Sequence, residues 1–278
     1  MASFDAVPAD VDAVGHRIVH GGRLFLDPVR VDDDVVAALE GLAPLAPLHQ
    51  APALRALAST RAALPEVPHV AVFDTAFHAT LPEAASTYAV PSRWREEWGV
   101  RRFGFHGIAV QWVAEQIAAR RLVVCHLGGG CSVTAVLDGR SVDTTMGFTP
   151  LEGVPMATRS GTVDPGLVLY ALRERGLRPD EVDDALERES GLAALGGLDT
   201  ELGFAVFTRR VAQAVAAMVV PLGGVDVIAF SGGVGENRED VRRAVADGVS
   251  FLDARVEVVP VREDLVIARA VRNLLAAG

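Results

Sequence analysis

Short runs of β-branched and apolar residues alternate along the chain with longer stretches of helical spacing. Residues 13–19 (AVGHRIV), 70–73 (VAVF), 122–127 (LVVCHL), 225–231 (VDVIAFS) and 255–261 (RVEVVPV) read as strands, because such residues favour a pleated, half-buried surface. Between them, 34–42, 52–63, 107–120, 163–175, 179–188, 202–221, 237–247 and 263–276 place apolar residues at the period of a helix. Asp164-Pro165 predicts one helix start, and Asn237 or Glu236 is expected to cap the helix beginning near Arg238. Residues 132–137 and 140–145, joined by Asp138-Gly139, predict a hairpin with a type I′ turn. The pattern is α/β with mixed strand pairing.

Segment 74–99, punctuated by aromatics and prolines, reads as a connection between two lobes, with the last helix returning to the first. The expected division is 1–78 with 265–278 in a first lobe and 79–264 in a second. No low-complexity tract, heptad array or short repeat is present.

Composition then removes whole classes of function. Half of the 278 residues are hydrophobic and the mean hydropathy is +0.28, enough to bury a core without disulfide or metal. A net charge of −10 and a pI near 5.2 argue against a nucleic-acid groove or an anionic-membrane footprint. Cys125 and Cys131 cannot build a disulfide framework, which suits a reducing cytoplasm. Neither a leader peptide nor an apolar run long enough to cross a bilayer is expected. All 26 cationic residues other than histidine are Arg, with no Lys. A phosphate binder must therefore use Arg forks, backbone amides or a metal, and Walker-type NTPases are excluded.

The candidate chemistry sits beside glycines. HLGGGCS (126–132) follows an apolar strand, so its amides can wrap a phosphate; FSGGVGEN (230–237) follows another and opens a helix. One such turn is explained by tight geometry alone; two after two strands favour a nucleotide clamp. Arg17 interrupts an apolar strand and Arg159 lies in a loop of small residues, each readable as an ion-pair anchor or as a phosphoryl-neutralising cation. Asp74 ends the VAVF strand and Glu263 opens the last helix; turn formation and capping compete there with Mg²⁺ ligation. No histidine pair has zincin spacing, the cysteines are not CxxC, and no GxSxG elbow occurs. His106, in FGFHG, shares a glycine-rich neighbourhood.

Taken in order, VGHRIVHGG, LAPLHQAPAL, VFDTAFHATLPEAASTYAVP, GVRRFGFHG, HLGGGCSVTAVLDGRSVDTTMGFTPLEGVPMATRSGTVDP, LGGVDVIAFSGGVGEN and REDLVIAR resemble the acetate kinase family, of the acetate and sugar kinase/actin superfamily. The resemblance covers nearly the whole chain. It implies a two-lobed, ribonuclease H-like α/β fold with mixed sheets, and reversible in-line phosphoryl transfer from ATP to acetate with Mg²⁺. Carried over by position, Arg17 and Arg159 would grip the carboxylate and the γ-phosphoryl group, and Asp74 matches the essential active-site aspartate. His106 would bond the equatorial oxygens and Glu263 would help hold Mg²⁺. Val19, Leu48, Phe105 and Pro150 match the methyl pocket, with His49 beside it. His126, Leu127, Gly128, Gly129 and Gly130, with Gly232, Gly233, Val234, Gly235, Glu236 and Asn237, would take the nucleotide. A cytoplasmic homodimer, with no nucleic-acid or membrane partner, is the expected assembly.

The chain also departs from the family pattern. An NxGSSS-like opening strand and loop has no counterpart, Gly129 replaces the Asn of Gly-Asn-Gly, and Val110 replaces a His. A D-x-R element is missing around 190–207, and the stretch between VSFLDA and RVEVVPV is shortened. These departures predict a truncated first lobe with an unpaired strand edge and exposed apolar surface. They leave as alternatives a segment encoded upstream, a contracted non-catalytic relative, or a kinase of propionate or butyrate; Pro150 and Phe105 favour the smallest acids.

Overall fold

The computed structural model describes residues 10–277, apart from the side chains of Pro47 and Leu48. In chain order the elements are β1 (Val14–Ile18), β2 (Val29–Arg30), α1 (Asp33–Gly41), α2 (Pro47–Ala63), β3 (His69–Phe73), α3 (Glu83–Ser86), α4 (Ser92–Glu97), α5 (Gly107–Gln116), β4 (Arg121–Leu127), β5 (Cys131–Leu137) and β6 (Arg140–Thr144). There follow α6 (Pro165–Arg173), α7 (Pro179–Arg188), α8 (Glu201–Val219), β7 (Val227–Ser231), α9 (Gly232–Asn237), α10 (Glu239–Gly248), β8 (Arg255–Val258) and α11 (Glu263–Ala276). They form two units. The first comprises the chain up to Ala79, Phe105–Trp112 and the chain from Arg262; the second comprises Thr80–Gly104 and Val113–Val261. The expected division did not anticipate that 105–112 packs within the first unit.

In the first unit β3 lies between β1, parallel to it with Val14 opposite His69, and β2, antiparallel to it. All five β3 residues are buried, because each face of the strand meets helices. Ala71 and Phe73 join Ile18, Val31, Leu39 of α1 and Leu57 of α2. Val70 and Val72, pointing the other way by the period of two, join Ile108 of α5 with Val266 and Val271 of α11. Each such large aliphatic or aromatic side chain contributes about 1.5–3 kcal/mol when fully buried. β1 forms an edge of this sheet, and an apolar groove of about 530 Å³ is lined by Leu26, Val72, Phe77, Ile108, Val266 and Leu274.

The second unit holds a five-stranded sheet in the order β6-β5-β4-β7-β8. β4 is antiparallel to β5 and parallel to β7, with His126 opposite Ser231. The β5–β6 turn has φ of 49° at Asp138 and 76° at Gly139, the two positive values a type I′ turn requires. Asp164 caps α6 by accepting from Gly166 N–H, with Pro165 in the first position, as predicted.

Several boundaries move for physical reasons. α2 begins at Pro47 rather than at residue 52, since Pro47 occupies the first turn, where no amide is needed. β8 stops at Val258, short of Pro260, which lacks an N–H for the ladder. Segment 74–99 contains α3 and α4 rather than a bare connection. Neither Glu236 nor Asn237 caps α10: both lie in α9, Asn237 returns its Nδ2 to Gly233 O, and Arg238 holds the cap position without a side-chain bond. α8 corrects a further expectation, because it has 19 residues and an 18-residue window of mean hydropathy 1.3, long and apolar enough to cross a membrane. Its Phe207, Val211 and Val215 form one buried stripe, and the helix packs on β4, β5 and α10. That stripe is the core-facing side of an α/β layer.

Candidate active site

β1 and β3 run parallel, so Arg17 of β1 and Asp74, directly after β3, come to the same end of the sheet. Arg17 Nε donates to Asp74 Oδ1 at 3.1 Å, and Nη2 donates to Oδ2 at 2.6 Å. Arg17 Nη1 lies 3.1 Å from Glu263 Oε2, in the first turn of α11. Asp74 is only 1% exposed. The Asp74 charge holds the Arg17 guanidinium above its ordinary value, and burial raises the Glu263 carboxyl against the pull of Arg17. A guanidinium offers five N–H donors; with Nε and one proton of each terminal nitrogen engaged, one proton on each terminal nitrogen remains for a ligand.

The FHG segment is pressed against Asp74. Gly107 N–H donates to Asp74 O at 2.8 Å, and a Cβ on Gly107 would run into that carbonyl, so only glycine fits. The approach is made by His106, which sits at φ 60°, a left-handed conformation that costs a non-glycine residue about 1–2 kcal/mol. Backbone strain of this kind concentrates where a side chain must be aimed. Behind it, His78 Nε2 donates to Phe105 O at 2.9 Å, and burial lowers the His78 pKa to about 4. Phe105 is buried and meets the His20 ring edge-on at 5.3 Å. Val19 lies in the bend after β1 and His49 on α2, both half-buried. Leu48, the remaining methyl-pocket candidate of this segment, has its side chain outside the described residues.

Three motif segments of the second unit converge at one end of its sheet. Residues 128–130 close the tight β4–β5 turn, with Gly128 N–H donating to Gly130 O at 2.9 Å. β7 lies beside β4, and a Cβ on Gly128 would come 3.6 Å from Gly233 N, so the two glycine turns are neighbours. Gly232, at φ 78°, passes so close to β4 that a Cβ would lie 2.7 Å from Leu127 O. Its N–H donates to Glu236 Oε1 at 3.0 Å, as does Val261 N–H at 3.1 Å. The first amide of α9 therefore serves Glu236 rather than an open anion site. The third segment arrives through Ala157 N–H, which donates to Gly129 O at 3.3 Å. It carries Arg159, 7% exposed, whose Nη1 donates to Pro150 O at 2.7 Å and whose pKa burial pulls down.

Sequence reading missed the residues that hold these groups. Gln50 clasps His20 by both its N–H and its C=O, each at 3.2 Å. Arg102 donates to Glu152 at 2.8 Å and to the carbonyls of Thr145 and Met146, while Tyr88 donates to Glu152 and accepts from Phe148 N–H. That network fixes the turn leading to Pro150. Polar residues of mixed spacing in loops gave no periodic signal to find them by.

No group of three or more His, Cys, Asp or Glu able to hold a metal occurs among the described residues. Asp74 and Glu263, flanking one guanidinium, do supply hard oxygen donors of the kind and number that Mg²⁺ takes from a protein when phosphates and water supply the rest.

The family model described as Acetokinase family matches residues 2–269. An acetate kinase from Synechococcus sp. (strain JA-2-3B'a(2-13)) is 42% identical, over 96% of this chain and 77% of its own. The structure of a propionate kinase from Francisella tularensis subsp. tularensis SCHU S4 superposes with a TM-score of 0.88 at 33% identity, covering 93% of this chain and 78% of that one. Porphyromonas gingivalis acetate kinase gives 0.87 at 32% identity, covering 95% and 78%.

Proposed function

The chain belongs to the acetokinase family, and from that premise we propose that it is an acetate kinase, transferring the γ-phosphoryl group of ATP to acetate and releasing acetyl phosphate and ADP. The observation that carries this reading is Arg17, braced between Asp74 and Glu263 with donors to spare, next to a strained His106.

A carboxylate oxygen of the acid attacks the γ-phosphorus as the bond to the β-phosphate oxygen breaks. Acetate is ionised at neutral pH, so no general base is needed. The residues supply alignment and positive charge, which is what phosphoryl transfer requires. Arg17 and Arg159 grip the acid and the phosphoryl group, His106 bonds its equatorial oxygens, and Asp74 fixes Arg17. Val19, Leu48, His49, Phe105 and Pro150 recognise the methyl group. The two glycine turns, at 126–130 and 232–237, serve the nucleotide with the groups that the β4 ladder and Glu236 leave unengaged. Glu263 would hold Mg²⁺, which when bound neutralises phosphate charge. The two free, buried cysteines are in keeping with work in the cytoplasm, and the homodimer is carried by the family resemblance alone.

The test is ATP-dependent acyl phosphate formation by the purified chain with Mg²⁺, trapped as the hydroxamate, with acetate, propionate and butyrate in parallel. Product with acetate that vanishes in Arg17→Ala supports the reading. Greater product with propionate favours the second reading, to which the likeness to a propionate kinase points. A folded protein that forms no product would be a non-catalytic relative.

A further inference from the structure

Arg159 lies in a loop that another segment of the same unit holds from both sides. Ser160 N–H donates to Leu186 O at 2.9 Å, and Thr158 Oγ1 donates to Glu187 O at 2.9 Å. Ser190 N–H donates to Thr158 O at 3.0 Å, and Leu192 N–H to Met156 O at 2.8 Å. The last turn of α7 and the residues after it thus fix the backbone on either side of Arg159. From that turn the Glu187 side chain enters the interior. It is 6% exposed, and its Oε2 is fully buried with no hydrogen-bond partner among the described residues.

A buried carboxylate oxygen without a donor is costly, so a native structure that keeps one needs a compensating charge. The loop bonds at Thr158 and Ser160 bring Arg159 to this turn, and while burial raises the Glu187 carboxyl, Arg159 is the cation that pulls it back. The contrast with Arg17 is informative. A bidentate carboxylate occupies much of the Arg17 fork, whereas an unbonded counter-charge leaves to a ligand all of the Arg159 fork except the bond to Pro150 O.

We propose that Glu187 is a positioning residue for Arg159, a buried counter-charge that holds the guanidinium in place while leaving the donors not engaged by Pro150 O open to an anionic substrate. This rests on the reading of Arg159 as the residue that grips the transferring phosphoryl group.

The experiment is a double-mutant cycle on the full chain, with thermal melting as a folding control. Glu187→Gln keeps shape and removes charge. The expected result is a fall of about tenfold in kcat/KM for the acid, corresponding to a small part of the barrier. Glu187→Asp, retaining the charge, recovers part of that loss. In an Arg159→Ala background, Glu187→Gln has no further effect. Wild-type constants for Glu187→Gln, or an equal loss in both backgrounds, would overturn the proposal. If Glu187→Gln does not fold, Glu187→Asp takes its place in the cycle: a loss confined to the Arg159 background supports the proposal, and an equal loss in both sinks it. Full activity of Arg159→Ala alone would instead refute the underlying assignment of Arg159.

Discussion

Arg17 holds Asp74 through both carboxylate oxygens, with Nη2 at 2.6 Å from Oδ2, and Asp74 makes this contact from a buried position. Both oxygens of Asp74 are taken up by the guanidinium, so the geometry suits it to fixing Arg17. Asp74→Asn leaves Arg17 with only Glu263 as a charged partner. Removing one member of a fully buried pair costs about 3–5 kcal/mol, and the partial exposure of Arg17 makes the loss here smaller. We expect a lowered denaturation midpoint and a fall of two orders of magnitude or more in kcat, with hydroxamate formation and urea unfolding as the measurements. Wild-type kcat in a folded Asp74→Asn protein would show that Arg17 needs no such anchor.

Arg159 makes a different demand. Its Nη1 is tied to Pro150 O, so the planar fork is set by the turn that Arg102, Glu152 and Tyr88 immobilise. Arg159→Lys keeps the charge and loses the fork. By analogy with an oxyanion-hole donor, about 2.7–4 kcal/mol of barrier is at stake, or 10²–10³ in kcat. Lysine should rescue little of what alanine loses. A lysine variant within threefold of wild type would mean that charge alone suffices.

How much of this was legible in the sequence depends on the period of the signal. β3 was visible because Val70, Val72 and Phe73 form a β-branched and aromatic run, and the run is continuous because α1–α2 and α5–α11 cover its two faces. The Asp138-Gly139 turn and the Asp164-Pro165 start were visible because their chemistry is local. Glu236 misled: a carboxylate ahead of a helix reads as a cap, but here it turns back to Gly232 and across to Val261, a tertiary bond with no local mark. Glu187 is the clearest loss. On α7 it looks like one more charge in DALERE, and only the packing of the 156–160 loop makes it buried.

Two histidines predict how the first unit responds to acid. His69 Nε2–H donates to Leu64 O at 3.0 Å, so its Nδ1 accepts from His16 Nε2 at 2.9 Å. Burial, then His69 and Arg61, lowers the His16 pKa from 6.5 to about 4, and burial does the same to His78. Between those values the unfolded chain binds more protons than the folded one. Stability is therefore complete above pH 6.5 and is lost as pH falls toward 4, by up to roughly 3 kcal/mol for each histidine. Urea titrations at pH 7.5, 6 and 5 should show the slope. His16→Gln, which retains a donor and cannot protonate, should reduce it while His78 keeps its own share, and an unchanged slope would remove His16 from the account.

Gly232 and Gly129 separate the two glycine turns into one that is structurally constrained and one that is not. Gly232 sits at φ 78° with the Leu127 carbonyl where a Cβ would go. Alanine there pays about 1–2 kcal/mol for the left-handed backbone and must push α9 off the end of β4. Gly129 has open space where its Cβ would be and no left-handed φ, so Gly129→Ala should melt with the wild type. We therefore expect Gly232→Ala to lower the melting temperature and to raise KM for ATP about tenfold or more, while kcat at saturating ATP changes less. For Gly129→Ala any rise in KM for ATP comes without loss of stability, which isolates contact with the nucleotide from damage to the fold. If KM for ATP is unmoved in both variants, the nucleotide does not use these turns.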